Sequence, residues 1–274
     1  MELRDKTVIV TGGASGIGKA LAERFHTEGA RHVVVADRDA EGAEAVAAAV
    51  GGSAAAIDVT DEAAIRDLVE RTESEHGPID LFVSNAGYVT VGGLEVPNAE
   101  ITNMFDVHVM AHVYAARAVV PSMMARGEGY LLNTASAAGL LSQIGSLAYS
   151  VTKHAAVALA EWLAISYGDR GIRVSVLCPQ AVESNIIANS PSRRTGDGFG
   201  VAGVDGVLKA EDLAQTVVET LAEERFWVLP HPEVAQYVER KAGDIDRWLA
   251  GMRRFQSRVF ADEPGPAEWL AGEA

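Results

Sequence analysis

The sequence predicts an α/β fold, a doubly wound parallel sheet of about seven strands with helices on both faces. Three observations carry this. Short β-branched runs alternate with longer Ala-rich stretches at helical period, the pattern of βαβ units. Runs such as Val33-Val34-Val35 have no polar alternation, so both faces of the sheet must be covered. A glycine-rich turn, Thr11 to Gly18, follows the first run and opens the first helical pattern.

In chain order, strands are expected near Thr7–Val10, His32–Asp37, Ala54–Ile57, Leu81–Ser84, Gly129–Thr134, Arg173–Cys178 and Trp227–Leu229, with helices in most of the intervals. A chain of 274 residues, 48% hydrophobic, can bury one substantial core, and no Pro/Ser-rich linker separates two. A single domain over residues 1–274 is therefore expected, its core running from about residue 3 to 229. Two stretches leave the regular alternation. Asn185 to Lys209 is glycine-rich and poor in apolar residues, and it follows a strand end where ligands of such sheets bind, so it is expected to be a substrate lid or a surface loop. Within it Arg193-Arg194 reads as a solvated pair or a holder of an acidic substrate. Beyond the last strand, a helical extension over 232–262 places Ile245, Trp248, Leu249, Met252, Phe255 and Val259 on one face, which must pack against the chain itself or a second subunit.

A formal net charge of -15 argues against nucleic acid and against an anionic membrane surface, both of which recruit clustered Lys and Arg. No apolar run is long enough to span a bilayer. The lone cysteine, Cys178, cannot form an internal disulfide and reads as a small buried hydrophobe. With a strand already at Lys6 to Thr11, no secretory signal precedes it, and a cytoplasmic location is expected. No metal-ligand cluster stands out, and none is expected.

In the turn, Gly12, Gly16 and Gly18 allow a tight bend and close backbone approach, and Ser15, Gly16 and Ile17 open the helix whose N–H groups and dipole favour a pyrophosphate. Asp37 ends the second strand about 20 residues further on, where a carboxylate accepts from ribose hydroxyls. A 2′-phosphate there would meet like charge at a cost of up to roughly 4 kcal/mol for a pair about 4 Å apart at a dielectric near 20, which favours NAD over NADP. Arg38 offsets part of this or points into solvent.

Downstream, Ser136 ends a strand and Tyr149 and Lys153 begin a long helix, four residues apart and so on one face. A tyrosine hydroxyl, with a reference pKa near 10, needs help to exchange a proton at neutral pH, and an adjacent ammonium supplies it. Together with Asp58-Val59, Asn85-Ala86-Gly87 and Cys178-Pro179, these motifs resemble the short-chain dehydrogenase/reductase family over about Leu3 to Leu229. The resemblance implies a single-domain Rossmann fold with Asp58 and Val59 at the adenine and Asn85, Ala86 and Gly87 beside the cofactor. It implies Tyr149 as proton donor or acceptor, Lys153 on the nicotinamide ribose and lowering the Tyr149 pKa, and Ser136 orienting the substrate. It also implies that Pro179 to Ser184 binds the carboxamide, through the Val182 backbone and the Ser184 hydroxyl.

Two residues depart from the family. Gln180 replaces the usual Gly after the proline, so a side chain there can reach the substrate pocket. His108 replaces the usual Asn in the helix before Ser136. The resemblance assigns that position to the catalytic group, and an imidazole there is either a proton relay to Lys153 or a satisfied structural residue. The function implied is hydride transfer between NAD(H) and an alcohol or carbonyl substrate. The rival readings are a catalytically silent NAD(H)-binding regulatory or structural protein and an NADP-dependent carbonyl reductase. The resemblance also implies a homo-oligomer, a tetramer or a dimer, through the Ala-rich faces of Asp106–Ala125 and Tyr149–Gly168.

Overall fold

The computed structural model describes residues 1–184 and 200–270. Seven strands form one sheet: β1 (Thr7–Thr11), β2 (His32–Asp37), β3 (Ser53–Ala56), β4 (Leu81–Ser84), β5 (Gly129–Thr134), β6 (Ile172–Leu177) and β7 (Trp227–Val228). Their spatial order is β3-β2-β1-β4-β5-β6-β7, and every pairing is parallel. This is the doubly wound sheet expected, with strand ends within two residues of the expected ones.

Side-chain alternation along the strands builds two cores. Ile9, Val34, Phe82 and Leu131 point to one face, where they meet α5 (Ala111–Arg126), α7 (Leu147–Tyr167) and α3 (Glu62–His76). Their neighbours Val8, Val10, Val33, Val35, Leu81 and Leu132 point to the other, against α1 (Gly16–Thr27), α2 (Ala40–Ala49) and α8 (Ala210–Glu223). Because strands buried on both faces have no polar side, their sequences read as continuous apolar runs. The winding reverses between β1 and β4, and the cleft opens there, beyond the carboxyl ends of the strands.

Three expectations are refined. The single helix expected from Asn98 to about Ala125 is α4 (Asn98–Phe105) and α5, joined by a π-helical turn at Asp106–Met110 that carries His108. Such turns take up one extra residue and rotate the following face, a local change that hydrophobic periodicity does not reveal. Of the lid expected over 185–209, residues 185–199, including Arg193 and Arg194, lie outside the described residues. The rest forms a short 3₁₀ turn at Gly200–Gly203 and a return in which Glu183 N–H donates to Leu208 O at 2.8 Å and Leu208 N–H to Ala181 O at 3.1 Å. The C-terminal extension consists of α9 (Glu233–Gly243) and α10 (Ile245–Val259), then continues past residue 262 into α11 (Pro266–Trp269). Its apolar stripe divides: Ile245 and Leu249 are about half exposed, while Trp248, Met252, Phe255 and Val259 face the cleft. No helix among the described residues is long and apolar enough to cross a membrane.

Candidate active site

The site begins with the turn after β1. Gly12 has φ +65°, and a Cβ there would lie 2.8 Å from Ala86 Cα. Gly18 lets α1 descend onto the turn, since a Cβ would fall 2.0 Å from the Gly12 carbonyl oxygen. Asn85 braces the bend from β4: its Nδ2 donates to Thr11 O at 3.0 Å, and its Oδ1 accepts from Thr134 Oγ1 at 3.2 Å. No side chain caps the first turn of α1, where Ser15 stands at the N-cap, so its backbone N–H groups face the cleft.

At the end of β2, Asp37 is drawn to the same turn. One carboxylate oxygen accepts from Ala14 N–H at 3.0 Å and the other from Asp39 N–H at 3.1 Å. Arg38 beside it is exposed at the cleft edge. Beyond β3, Asp58 turns its carboxylate onto Thr60, with Oγ1 at 2.8 Å, and Val59 packs inward.

The hydroxyl-bearing wall comes from β5, α7 and the end of β6. Ser136 Oγ donates to Pro179 O at 3.4 Å and accepts from Ala138 N–H at 3.1 Å. Lys153 is buried, its Nζ donating to Thr134 O at 3.0 Å and lying 5.6 Å from the Tyr149 ring centre. Burial raises the Tyr149 phenol above its ordinary value, and the Ser136 side chain pulls it part of the way back. Burial also draws Lys153 down to about 7. Desolvation, which disfavours both charged forms, is the largest influence on each of the two groups. Cys178 is fully buried and its thiol is pushed up to about 12 by burial, in keeping with a structural hydrophobe.

One cleft of about 1590 Å³ is lined by Gly12, Ser15, Gly16, Ile17, Asp37, Arg38, Asp58, Val59, Asn85, Ala86 and Gly87 on one side. Ser136, Tyr149, Lys153, Pro179, Val182 and Ser184 line the other. Of the residues singled out in the sequence, Gly18 and His108 do not reach it. Gly18 supports the turn from beneath. His108 is fully buried behind Tyr149, their ring centres 5.6 Å apart. Its Nε2 accepts from Tyr88 N–H at 3.2 Å, so the ring proton resides on Nδ1, which donates to Thr152 Oγ1 at 2.9 Å. Thr152 in turn donates to Tyr149 O at 3.2 Å. Burial holds His108 well below its ordinary pKa, so it is a neutral brace between the loop after β4 and α7. Both ring nitrogens are thus engaged, one by the Tyr88 backbone and the other by the Thr152 hydroxyl.

Sequence reading missed Thr134, whose carbonyl holds Lys153, because a backbone acceptor leaves no residue-type signal. It also missed Asp205, Tyr237 and the inward face of α10 as parts of this cleft. The amphipathic period of α10 was visible, but not what it covers.

A parallel sheet in this order, with a glycine turn at its switch point, is a Rossmann-type fold. The chain belongs to the short-chain dehydrogenase family, whose model matches residues 6–195. It is 35% identical to 1-deoxy-11-beta-hydroxypentalenate dehydrogenase of Streptomyces exfoliatus, over 91% of this chain and 92% of that one. It is 36% identical to 2,5-dichloro-2,5-cyclohexadiene-1,4-diol dehydrogenase of Sphingobium indicum, over 71% and 80% of the two chains. Among solved structures it resembles a short-chain dehydrogenase/reductase from Burkholderia phymatum in complex with NAD, with TM-score 0.80 and 30% identity over 90% of this chain and 96% of that one.

Proposed function

We propose that this protein is an NAD-dependent dehydrogenase that moves a hydride between the cofactor and the carbinol or carbonyl carbon of a small molecule. The observation carrying this reading is that Ser136, Tyr149 and Lys153 meet the glycine turn in one cleft. The chain's own groups fit a dinucleotide: an uncapped helix N-terminus for the pyrophosphate, a turn that a Cβ would fill, and the Asp37 carboxylate lining the same cleft. A bound nicotinamide supplies the hydride acceptor in oxidation and the donor in reduction.

The protein handles the proton. In oxidation the Tyr149 phenolate takes the hydroxyl proton while the carbinol hydrogen would leave as hydride, with both C–H bonding electrons, to the nicotinamide, so that a carbonyl remains; in reduction the phenol returns the proton. Ser136 holds the substrate oxygen by hydrogen bond. In this proposal Lys153, when protonated, stabilises the phenolate and would hold the nicotinamide ribose. Val182 and Ser184 bind the carboxamide. Relatives named for hydroxyl- and diol-bearing compounds support the alcohol side of this assignment. The reading is tested by NADH absorbance change over a panel of alcohols and ketones.

Asp37 sets cofactor choice in this proposal. NAD(H) is expected to bind at least tenfold more tightly than NADP(H), and Asp37→Ala to narrow the gap by about tenfold, or about 1.4 kcal/mol, because a carboxylate repels a 2′-phosphate and Arg38 remains. Equilibrium titration of both cofactors checks this, and a preference of the unaltered protein for NADP(H) would refute it.

The protein is proposed to work in the cytoplasm as a homotetramer. Val151, Trp162 and Ile165 on α7 are more than half exposed, and Ile165 is 83% exposed, an apolar face too large to leave in water on an active monomer. Light scattering should return four times the chain mass; a monomer at working concentration would contradict it.

A further inference from the structure

α10 lies across the mouth of the cleft. Its 15 residues span about 22 Å. At its start, Trp248 packs on Tyr237 and on the cluster of Ala137, Leu141 and Val234. Just past its end, Phe260 stands edge-on to Trp269, and both rings close on Gly145, where an added Cβ would sit 3.4 and 3.5 Å from them. Between these supports Trp248, Met252, Phe255 and Val259 follow one helical face into the cleft that holds Ser136 and Tyr149. No residue of α10 is buried, and beyond Trp248 its apolar face packs on no core cluster. Val91, Leu141 and Ile144 line the cleft with it.

Arg240 and Glu263 also line the cleft near the cap, and Gln180 Oε1 has no hydrogen-bond partner among the described residues, but three polar side chains there are linked. Asp205 accepts from Gln180 Nε2 at 2.9 Å and from Tyr237 OH at 3.0 Å, linking the end of β6 to α9. Lys241 Nζ donates to Leu140 O at 2.6 Å, tying α9 to the short helix α6 (Ala138–Leu141) that follows Ser136. The Lys241 contact places the cap on the segment that directly follows Ser136.

We propose that α9 and α10 form a fixed cap selecting a bulky, apolar ring alcohol or ketone with at least two fused rings, and that the Gln180–Asp205–Tyr237 clamp holds this cap in register with Ser136 and Tyr149. The inference rests on the dehydrogenase reading and names its substrate class. From Trp248 to Val259 the apolar strip runs roughly 16 Å, more than a single six-membered ring covers. A fused hydrocarbon body removes this surface from water along its length, at about 25 cal/mol for each Å² buried, whereas a small polar alcohol leaves it wet. Gln180, where the family carries glycine, acts here as a positioning residue.

The test uses the full chain with NAD and three alcohols: decahydro-2-naphthol, cyclohexanol and glycerol. The fused-ring alcohol is expected to show a kcat/KM at least tenfold above cyclohexanol, with glycerol slower still. Phe255→Ala should lower the ratio of the first two about tenfold. Asp205→Ala should raise KM for decahydro-2-naphthol at least fivefold with a smaller change in kcat, and Leu249→Ser, on the exposed side of α10, should move neither. Quenching of Trp248 fluorescence by decahydro-2-naphthol, lost in Trp248→Phe, gives a second readout. Turnover of cyclohexanol or glycerol equal to that of the fused-ring alcohol, with a ratio insensitive to Phe255→Ala, overturns the cap and leaves the dehydrogenase reading standing. Quenching without turnover of any alcohol upholds the cap and overturns that reading. Absence of both turnover and quenching overturns the cap.

Discussion

Tyr149→Phe is expected to lower kcat by about a thousandfold, within the range that a positioned acid or base contributes, while leaving the fold and NADH affinity in place. The substitution keeps the ring that packs against His108 and removes only the hydroxyl beside Ser136. The change forfeits the hydroxyl's one side-chain hydrogen bond, with Ser136, so stability should shift by about 1 kcal/mol. The pH dependence has a definite sign. Alcohol oxidation needs the phenolate, so its rate rises with pH as Tyr149 ionises, and carbonyl reduction, which needs the phenol, falls. In Tyr149→Phe both limbs should disappear with the activity. The check is single-turnover kinetics across pH, with thermal unfolding and NADH titration on the same preparation. Undiminished turnover would exclude the acid/base role.

Gly18→Ala is expected to weaken NADH binding by at least about a hundredfold, equivalent to about 2.7 kcal/mol. It is also expected to destabilise the fold by about 1 to 3 kcal/mol, the usual cost of overpacking. The added methyl would stand 2.0 Å from the Gly12 carbonyl oxygen and 2.7 Å from Asn85 Nδ2. Neither neighbour can yield: one is backbone, and the other is held by hydrogen bonds to Thr11 and Thr134. The helix must therefore lift from the turn, carrying its N–H groups away from the cleft. Gly168→Ala is the control, since its Cβ would meet nothing within 4 Å and its φ of -56° suits any residue. Equilibrium titration and denaturant unfolding of both variants measure the contrast. Wild-type affinity and stability in Gly18→Ala would show that the close approach is not needed.

Much of the site was legible because it depends on local rules. Gly12 and Gly18 announce a turn by residue type, Asp37 by its place at a strand end, and Tyr149 and Lys153 by a helical spacing of four residues. Each signal lies within one element or at its border, and strand alternation then brings the elements to the same end of the sheet. His108 shows where such reading stops. Its type and position admit a relay or a brace, and the partners that hold its ring, Tyr88 and Thr152, lie 20 and 44 residues away in sequence.

By itself the sequence determined the parallel sheet, its seven strands, the cofactor-type turn and the membership of Ser136, Tyr149 and Lys153 in one constellation. The sheet and the turn follow from periodicity and short-range stereochemistry, which the chain carries residue by residue, and the constellation is implied by the resemblance of its motifs to the family. Only the tertiary structure decided which apolar stripe meets what. It turned Met252, Phe255 and Val259 over the cleft, set Trp248 between the cleft and a small core cluster, and joined Gln180 to Tyr237 through Asp205. It also set burial as the dominant influence on Tyr149 and Lys153. Long-range packing and desolvation depend on neighbours distant in sequence, and those neighbours are chosen by how the helices close over the sheet.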